Sequence, residues 1–299
     1  MIRLEDTSGG EVAAAIAAER HRMGSPVTGM VLTLLILSDE EAQADATSAA
    51  VAAARQHPMR IVTLIPRATS KPSRIDAEVA VGGDDGPGEV AVIRLRGDRA
   101  AHANSVAIPL LLSDTPVIAY WPHESPDVPE DDPIGRHAQR RITDAAMASD
   151  PFTELRRRRD GYRPGDTDLA WTRLTPWRTI LSSMLDLPFG QISGAAVRAE
   201  DGNPSALLLT LWLGHMLKVP TVLEGGEGPG INEVRITTDH GDLVVARDQE
   251  ASGHLSRPGF PDARISIPRR ELSELISEEL RRLDPDDLYG HIIALVPDV

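Results

Sequence analysis

Residues 27–66 have the sequence VTGMVLTLLILSDEEAQADATSAAVAAARQHPMRIVTLIP, and this stretch decides the fold. The aliphatic run at 27–37 has the length and composition of a buried strand. A capping box of Ser38 and Glu41 then opens an alanine-rich helix that ends before Pro58, and 59–66 forms a second buried strand. This strand–helix–strand order predicts an α/β fold.

The sequence on either side continues the alternation of strands and helices. An alanine-rich helix at 11–23 is stopped by Gly24-Ser25-Pro26. Asp98 caps a helix over roughly 98–112, which contains the disruptive Pro109. Three further strands are predicted at 75–81, 89–96 and 116–121, with a turn at 82–88 between the first two.

The second half repeats this order after a proline-rich, acidic loop at 122–133. Helical patterns lie at 134–148, 150–162, 168–186, 204–217 and 269–283. Strand patterns lie at 191–199, 219–223, 231–238, 242–247, 263–268 and 292–296. The shared order predicts two α/β domains of similar strand–helix order with mixed sheets, at 1–150 and 166–299, joined by an arginine-rich connecting segment at 151–165.

Composition excludes several classes of function. The 45 acidic residues outnumber the 31 basic ones and give a net charge of −14, which repels polyphosphates and argues against a nucleic-acid partner. The 299 residues include no cysteine, so disulfides, thiolate nucleophiles and Cys-ligated metals are excluded. The start of the chain is acidic and no apolar run reaches membrane-spanning length, so we expect a cytoplasmic protein without a membrane partner.

No catalytic, cofactor or metal site follows from the motifs. The glycine clusters at 82–88 and 225–230 lack the G-x-G-x-x-G order and are typical of turns. Ser193 in GQISG lies one place beyond the nucleophile position of a hydrolase elbow. The nine histidines are scattered, and the acidic clusters lie at helix ends or in a loop. We therefore predict no catalytic residues, no cofactor and no metal.

One stretch concentrates arginine and tryptophan and is the candidate site. A helix start at Thr175 (N-cap) and Pro176 (N1) would let Arg173, Arg178 and backbone amides converge on an anion or a carboxylate. Tryptophan and arginine also dominate protein interfaces. The candidates for a partner interface or an anion site are Tyr120, Trp121, Arg140, Arg141, Trp171, Arg173 and Arg178.

The tryptophans of this stretch also have a structural interpretation. Leu174, Trp177 and Leu181 share helical spacing, which favours burial of Trp177 in the core. For Trp171, core and interface stay equally open.

The block DTDLAWTRLTPWR at 166–178 resembles the actinobacterial and cyanobacterial glucose-6-phosphate dehydrogenase assembly protein family, OpcA. Further blocks run in the same order as in the family from about 55 to 289: HPMR at 57–60, PLLL at 109–112, DTPV at 114–117, YWP at 120–122, RRITD at 140–144, PSA at 204–206, WL at 212–213 and LRRLDP at 280–285. Two features differ: tyrosine comes first in the aromatic pair, and the cysteines of photosynthetic members are missing, which excludes a thioredoxin-type switch.

The resemblance implies a non-catalytic protein that promotes assembly of glucose-6-phosphate dehydrogenase into its active oligomer and acts as its allosteric activator. It would thereby support the oxidative pentose phosphate pathway and the supply of NADPH. The alternative is a sugar-phosphate-binding α/β protein, either a metabolite sensor or a cryptic enzyme, with Arg140, Arg141, Arg173 and Arg178 holding the phosphate. A sugar-phosphate effector is compatible with both hypotheses.

Overall fold

The computed structural model describes residues 1–23, 30–68, 72–82, 88–186, 189–248 and 251–298. The chain forms two compact units. Unit 1 consists of Met1–Asp144, Arg163–Thr167 and Glu271–Pro285, and unit 2 consists of Ala145–Tyr162, Asp168–Arg270 and Asp286–Val299. We predict from the sequence that 1–150 and 166–299 are domains joined by a connecting segment at 151–165. These boundaries stay a prediction.

The elements alternate along the chain. The strands are β1 Ile2–Leu4, β2 Leu32–Leu37, β3 Met59–Arg67, β4 Arg74–Val81, β5 Glu89–Arg96, β6 Val117–Tyr120, β7 Arg140–Thr143, β8 Asp166–Asp168, β9 Ile192–Ala199, β10 Thr221–Gly225, β11 Ile231–Thr238, β12 Gly241–Arg247, β13 Ser252–Ser256 and β14 Ala263–Ser266. The α-helices are α1 Gly9–Met23, α2 Gln43–Ala53, α3 Ala103–Ala107, α4 Pro151–Gly161, α5 Leu169–Thr172, α6 Thr175–Met184, α7 Pro204–Leu217, α8 Leu272–Arg281 and α9 Asp287–Ile293.

Two mixed sheets confirm the predicted α/β class. The eight-stranded sheet has the order β1-β4-β5-β3-β2-β6-β7-β8, with parallel pairing from β5 to β7 and antiparallel pairing of β1 with β4 and of β4 with β5. The six-stranded sheet has the order β10-β9-β11-β12-β13-β14, in which β9 and β10 are parallel and the other pairs antiparallel. In the described part of the chain, no helix is both long and apolar enough to cross a membrane.

Both units contain a β-α-β-β-β order, as predicted, but they pair these strands differently. In unit 1 the order is β2-α2-β3-β4-β5, and β5 pairs with β3. In unit 2 the order is β9-α7-β10-β11-β12, and β11 pairs with β9. The similarity of the two halves is therefore one of element order along the chain rather than of strand neighbours.

Several predicted elements are wrong in detail. The helix predicted at 134–148 contains β7 instead, because pairing with β6 overrides the local helix propensity. The strand predicted at 292–296 instead contains the last two residues of α9, which is capped by Asp286, and the turn that follows it. The helix at 98–112 breaks into α3 and flanking 3-10 turns, one of which contains Pro109.

Two predicted caps also differ. Asp39, not Ser38, accepts the backbone N–H groups of Glu41 and Ala42 at 2.9 and 2.7 Å. Thr175 is the first residue of α6 rather than its N-cap. The helix stop at 24–26 lies outside the described residues, as does most of the turn at 82–88.

Candidate functional site

Arg140 and Arg141 lie inside unit 1. Arg140 is 4% exposed and donates from Nε to Glu279 at 2.8 Å and from Nη1 to the carbonyl of Asp284 at 3.1 Å. Arg141 is equally buried, pairs with Asp166, and donates to the carbonyls of Ala138 and Pro164 at 3.0 and 2.7 Å. Both guanidinium groups are therefore paired with carboxylate and carbonyl groups of unit 1.

The aromatic candidates are also buried. Tyr120 ends β6 and Trp121 follows it, and both belong to the interior of unit 1. In unit 2, Trp171 and Trp177 are 1% and 3% exposed, so the predicted burial of Trp177 is confirmed. The indole N–H of Trp171 donates to Asp286 at 2.9 Å. Trp171 is thus a core residue of unit 2.

Arg173 and Arg178 face different surroundings in unit 2. The guanidinium carbon of Arg178 lies 3.8 Å from the centre of the Trp171 ring, and an N–H of Arg178 donates to Thr175 at 3.1 Å. Arg173 instead borders a cavity that Trp177 also lines. Arg178 does not line this cavity, and the convergence of the two arginines on one anion stays a prediction.

The cavity beside Arg173 has a volume of about 200 Å³. We call it the arginine pocket. Its lining residues are Arg173, Leu174, Trp177, Asn203, Ser205, Gly230, Ile231, Arg247, Pro268, Arg269 and Arg270. Four of these are arginines and none is acidic, although the whole chain carries a net charge of −14.

Five separate segments of unit 2 bring these residues together, one of which is Gly230 with Ile231 at the start of β11. Arg173 follows α5, Arg247 ends β12, and Arg269 and Arg270 follow β14. The start of α7 contributes Asn203, whose side chain caps the helix through the N–H of Ala206 at 2.9 Å. The pocket is therefore built from α-helix ends and strand ends that are far apart in sequence.

Backbone carbonyls hold the arginines of the pocket in place. Arg247 donates to the carbonyls of Ile267 and Ile231 at 3.2 and 3.3 Å, and Arg269 donates to that of Pro229 at 2.7 Å. Arg270 donates to the carbonyl of Thr172 at 3.0 Å. For Arg247 and Arg269, these carbonyl partners fix the orientation of the guanidinium group without neutralising its charge.

The positively charged arginine side chains of the pocket repel one another. Burial, together with repulsion from Arg269, lowers the pKa of Arg247 to about 10. Its guanidinium carbon also lies 5.3 Å from the centre of the Trp177 ring, whose negative face attracts a cation. A bound anion would stabilise the protonated form of Arg247.

Sequence reasoning found only part of this pocket. Arg173 was a candidate, whereas Arg247, Arg269 and Arg270 stand in no motif and are distant from it in sequence. Gly230 belongs to a glycine cluster predicted to be a turn, and its φ of +76° is a backbone conformation that glycine favours. In the described ranges, no group of three or more potential metal ligands occurs.

A second feature of unit 2 is an exposed aromatic patch, formed by Phe189, Phe260 and Arg257. Phe189 and Phe260 are 41% and 58% exposed. The guanidinium carbon of Arg257 lies 5.4 Å from the centre of the Phe260 ring, and all three residues border a small cavity of about 50 Å³. Aromatic rings beside an arginine have the composition of interface hot spots.

Two family models match the chain over most of its length. Residues 50–160 match the N-terminal domain of the OpcA-type glucose-6-phosphate dehydrogenase subunit, and residues 164–293 match the C-terminal domain of the same family. Among curated proteins, no sequence matches the chain significantly.

Two solved structures show a distant likeness to the chain. A 3-ketoreductase from Actinomadura kijaniata, KijD10, is 10% identical with a TM-score of 0.47, over 88% of this chain and 93% of that one. A dehydrogenase (MviM) from Clostridium difficile is 4% identical with a TM-score of 0.44, over 88% of this chain and 95% of that one. Neither likeness carries an argument about function.

Proposed function

Because the chain belongs to the glucose-6-phosphate dehydrogenase assembly protein family, OpcA, we propose that it is a non-catalytic partner of that dehydrogenase. It promotes assembly of the active oligomer and raises its activity, which supports the oxidative pentose phosphate pathway and NADPH supply in the cytoplasm. The observation that carries this proposal is the pair of family matches, which together run from residue 50 to residue 293.

The proposed mechanism is a shift in the population of oligomeric states. A protein that binds the active oligomer more tightly than the inactive form moves the equilibrium toward the active one. A difference in binding free energy of about 1 to 3 kcal/mol changes the equilibrium several-fold or more. No chemical step by the chain itself is required.

The exposed aromatic patch and Arg178 are the proposed contacts with the dehydrogenase. Phe260 is the most exposed aromatic side chain of the patch, and truncating an interface anchor of this kind commonly costs about 1 kcal/mol or more of binding. Arg178 stays a candidate because the Trp171 ring beneath its guanidinium group orients it.

The test is a titration of dehydrogenase activity with the purified chain. We expect activity to rise to a plateau, while the chain alone forms no NADPH from glucose 6-phosphate and NADP. Phe260→Ala should raise the concentration needed for half-activation, whereas Val222→Ala, which removes another exposed apolar side chain of unit 2, serves as the matched control. No change in activity at any chain concentration would contradict the proposal, as would turnover by the chain alone.

The arginine pocket favours a second candidate function, that of a sugar-phosphate-binding sensor or enzyme. Four arginines around one cavity are a set that recognises phosphate. Binding of glucose 6-phosphate without any effect on the dehydrogenase would support this second function over the first. Binding together with activation would make the sugar phosphate an effector of the first.

A further inference from the structure

We propose that the arginine pocket of unit 2 is a binding site for a small phosphate monoester, of the size of a sugar phosphate. The site uses Arg173, Arg247, Arg269 and Arg270 for the phosphate group, and Trp177 with the polar residues at the start of α7 for the remainder of the molecule. The inference concerns binding by this chain alone, so it stands or falls independently of any effect on the dehydrogenase.

The first argument is that two arginines of the pocket carry charges that no carboxylate in the described part of the chain compensates. Among the described residues, Arg247 and Arg269 donate only to carbonyl oxygens and pair with no carboxylate. This differs from other arginines of unit 2, such as Arg235, which pairs with Glu233 and Asp242 at 2.9 and 3.1 Å. An acidic chain that leaves two neighbouring arginines without carboxylates has a local potential that attracts a multivalent anion.

The second argument is the electrostatic repulsion between Arg247 and Arg269. Arg247 is partly buried beside Arg269. Burial and this neighbouring charge lower the pKa of Arg247 to about 10, so its charged form is less favoured than that of a solvated arginine. A dianionic phosphate between these groups would remove the repulsion and accept hydrogen bonds from the guanidinium forks. The carbonyl groups that hold the arginines already provide the orientation that such a site needs.

The size of the cavity is compatible with a ligand larger than a bare phosphate group. At roughly 30 Å³ per water molecule, a cavity of about 200 Å³ holds about seven waters, which is more than a bare phosphate group displaces. The additional space is lined by Asn203, Ser205 and the side chain of Trp177, a set that suits a hydroxylated body with one apolar face. A phosphorylated metabolite fits this volume and chemistry.

Isothermal titration calorimetry on the full chain tests the proposal, with glucose 6-phosphate, inorganic phosphate and glucose as separate probes. We expect glucose 6-phosphate to bind more tightly than inorganic phosphate, and glucose to give no signal. Arg269→Gln should weaken binding of glucose 6-phosphate about tenfold or more, because it removes a charged hydrogen bond. The matched control is Arg264→Gln, since Arg264 is an exposed arginine of β14 outside the pocket and should change affinity less than about twofold.

Arg269 is exposed, so its substitution should leave the fold intact, and the melting temperature of each variant verifies this. Arg247→Gln provides a second variant within the pocket. The proposal is overturned if glucose 6-phosphate does not bind at millimolar concentration, or if it binds no better than inorganic phosphate. It is equally overturned if Arg264→Gln and Arg269→Gln weaken binding alike, because the attraction would then come from general charge.

Discussion

Arg140→Met should destabilise the protein strongly, although the sequence context of Arg140 makes it an interface candidate. The side chain holds Glu279 through two N–H groups and the carbonyl of Asp284 through a third, and both charged side chains are nearly inaccessible. Removing one partner of a buried pair leaves the other charge in the interior, which typically costs about 3 to 5 kcal/mol. We expect a loss of this size in the free energy of unfolding.

Urea unfolding followed by far-ultraviolet circular dichroism measures this loss. Arg74→Met is the matched control, because Arg74 also lies on a strand of unit 1 but pairs with Glu5 and Asp76 at an exposed site, where the cost should be below about 1 kcal/mol. The double variant Arg140→Met/Glu279→Leu should recover part of the stability, since both charges of the buried pair are then removed together. A loss below about 1 kcal/mol for Arg140→Met, combined with weaker activation of the dehydrogenase, would refute the structural role.

Three further predictions concern unit 2. Trp177→Ala should cost about 3 to 5 kcal/mol in urea unfolding, because the ring is buried, and unchanged stability would place the ring outside the core. Arg178→Ala should cost only about 1 kcal/mol of stability yet weaken activation of the dehydrogenase; unaltered half-activation would remove Arg178 from the interface. Affinity for glucose 6-phosphate should rise from about pH 5 to 7, because the phosphate loses its second proton near pH 6. Affinity should fall near pH 10, because Arg247 then loses its proton and its positive charge. Calorimetry that shows no fall in affinity near pH 10 would exclude Arg247 from the site.

The sequence was sufficient to predict the fold class because hydrophobic patterning reports burial directly. The run at 32–37 and the stretch at 59–67 became neighbouring parallel strands, and the alanine-rich segment between them became α2. Patterning failed where tertiary contacts decide the conformation. Residues 140–143 have a helix-biased setting but pair with β6, and the short apolar run at 292–296 suits a strand and a helix equally well.

The candidate site was predictable only in part, for a different reason. An arginine in a sequence carries no sign of whether its side chain is buried in an ion pair or lines a cavity. Arg140 and Arg173 therefore looked alike until the structure placed Arg140 against Glu279 and Arg173 at the lining of the arginine pocket. The arginine pocket depends on segments about 70 to 100 residues apart, and no local motif records that convergence. Buried aromatic residues such as Trp171 posed the same problem, because core and interface favour the same residue types.

The central claim is that the chain drives glucose-6-phosphate dehydrogenase into its active oligomer, and one measurement tests it most directly. Native mass and specific activity of the dehydrogenase are determined in the same sample while the concentration of the chain is increased. We expect a larger assembly containing both proteins to appear in proportion to the gain in activity. Activity that rises without any change in native mass, or a complex that forms without any gain in activity, would contradict it.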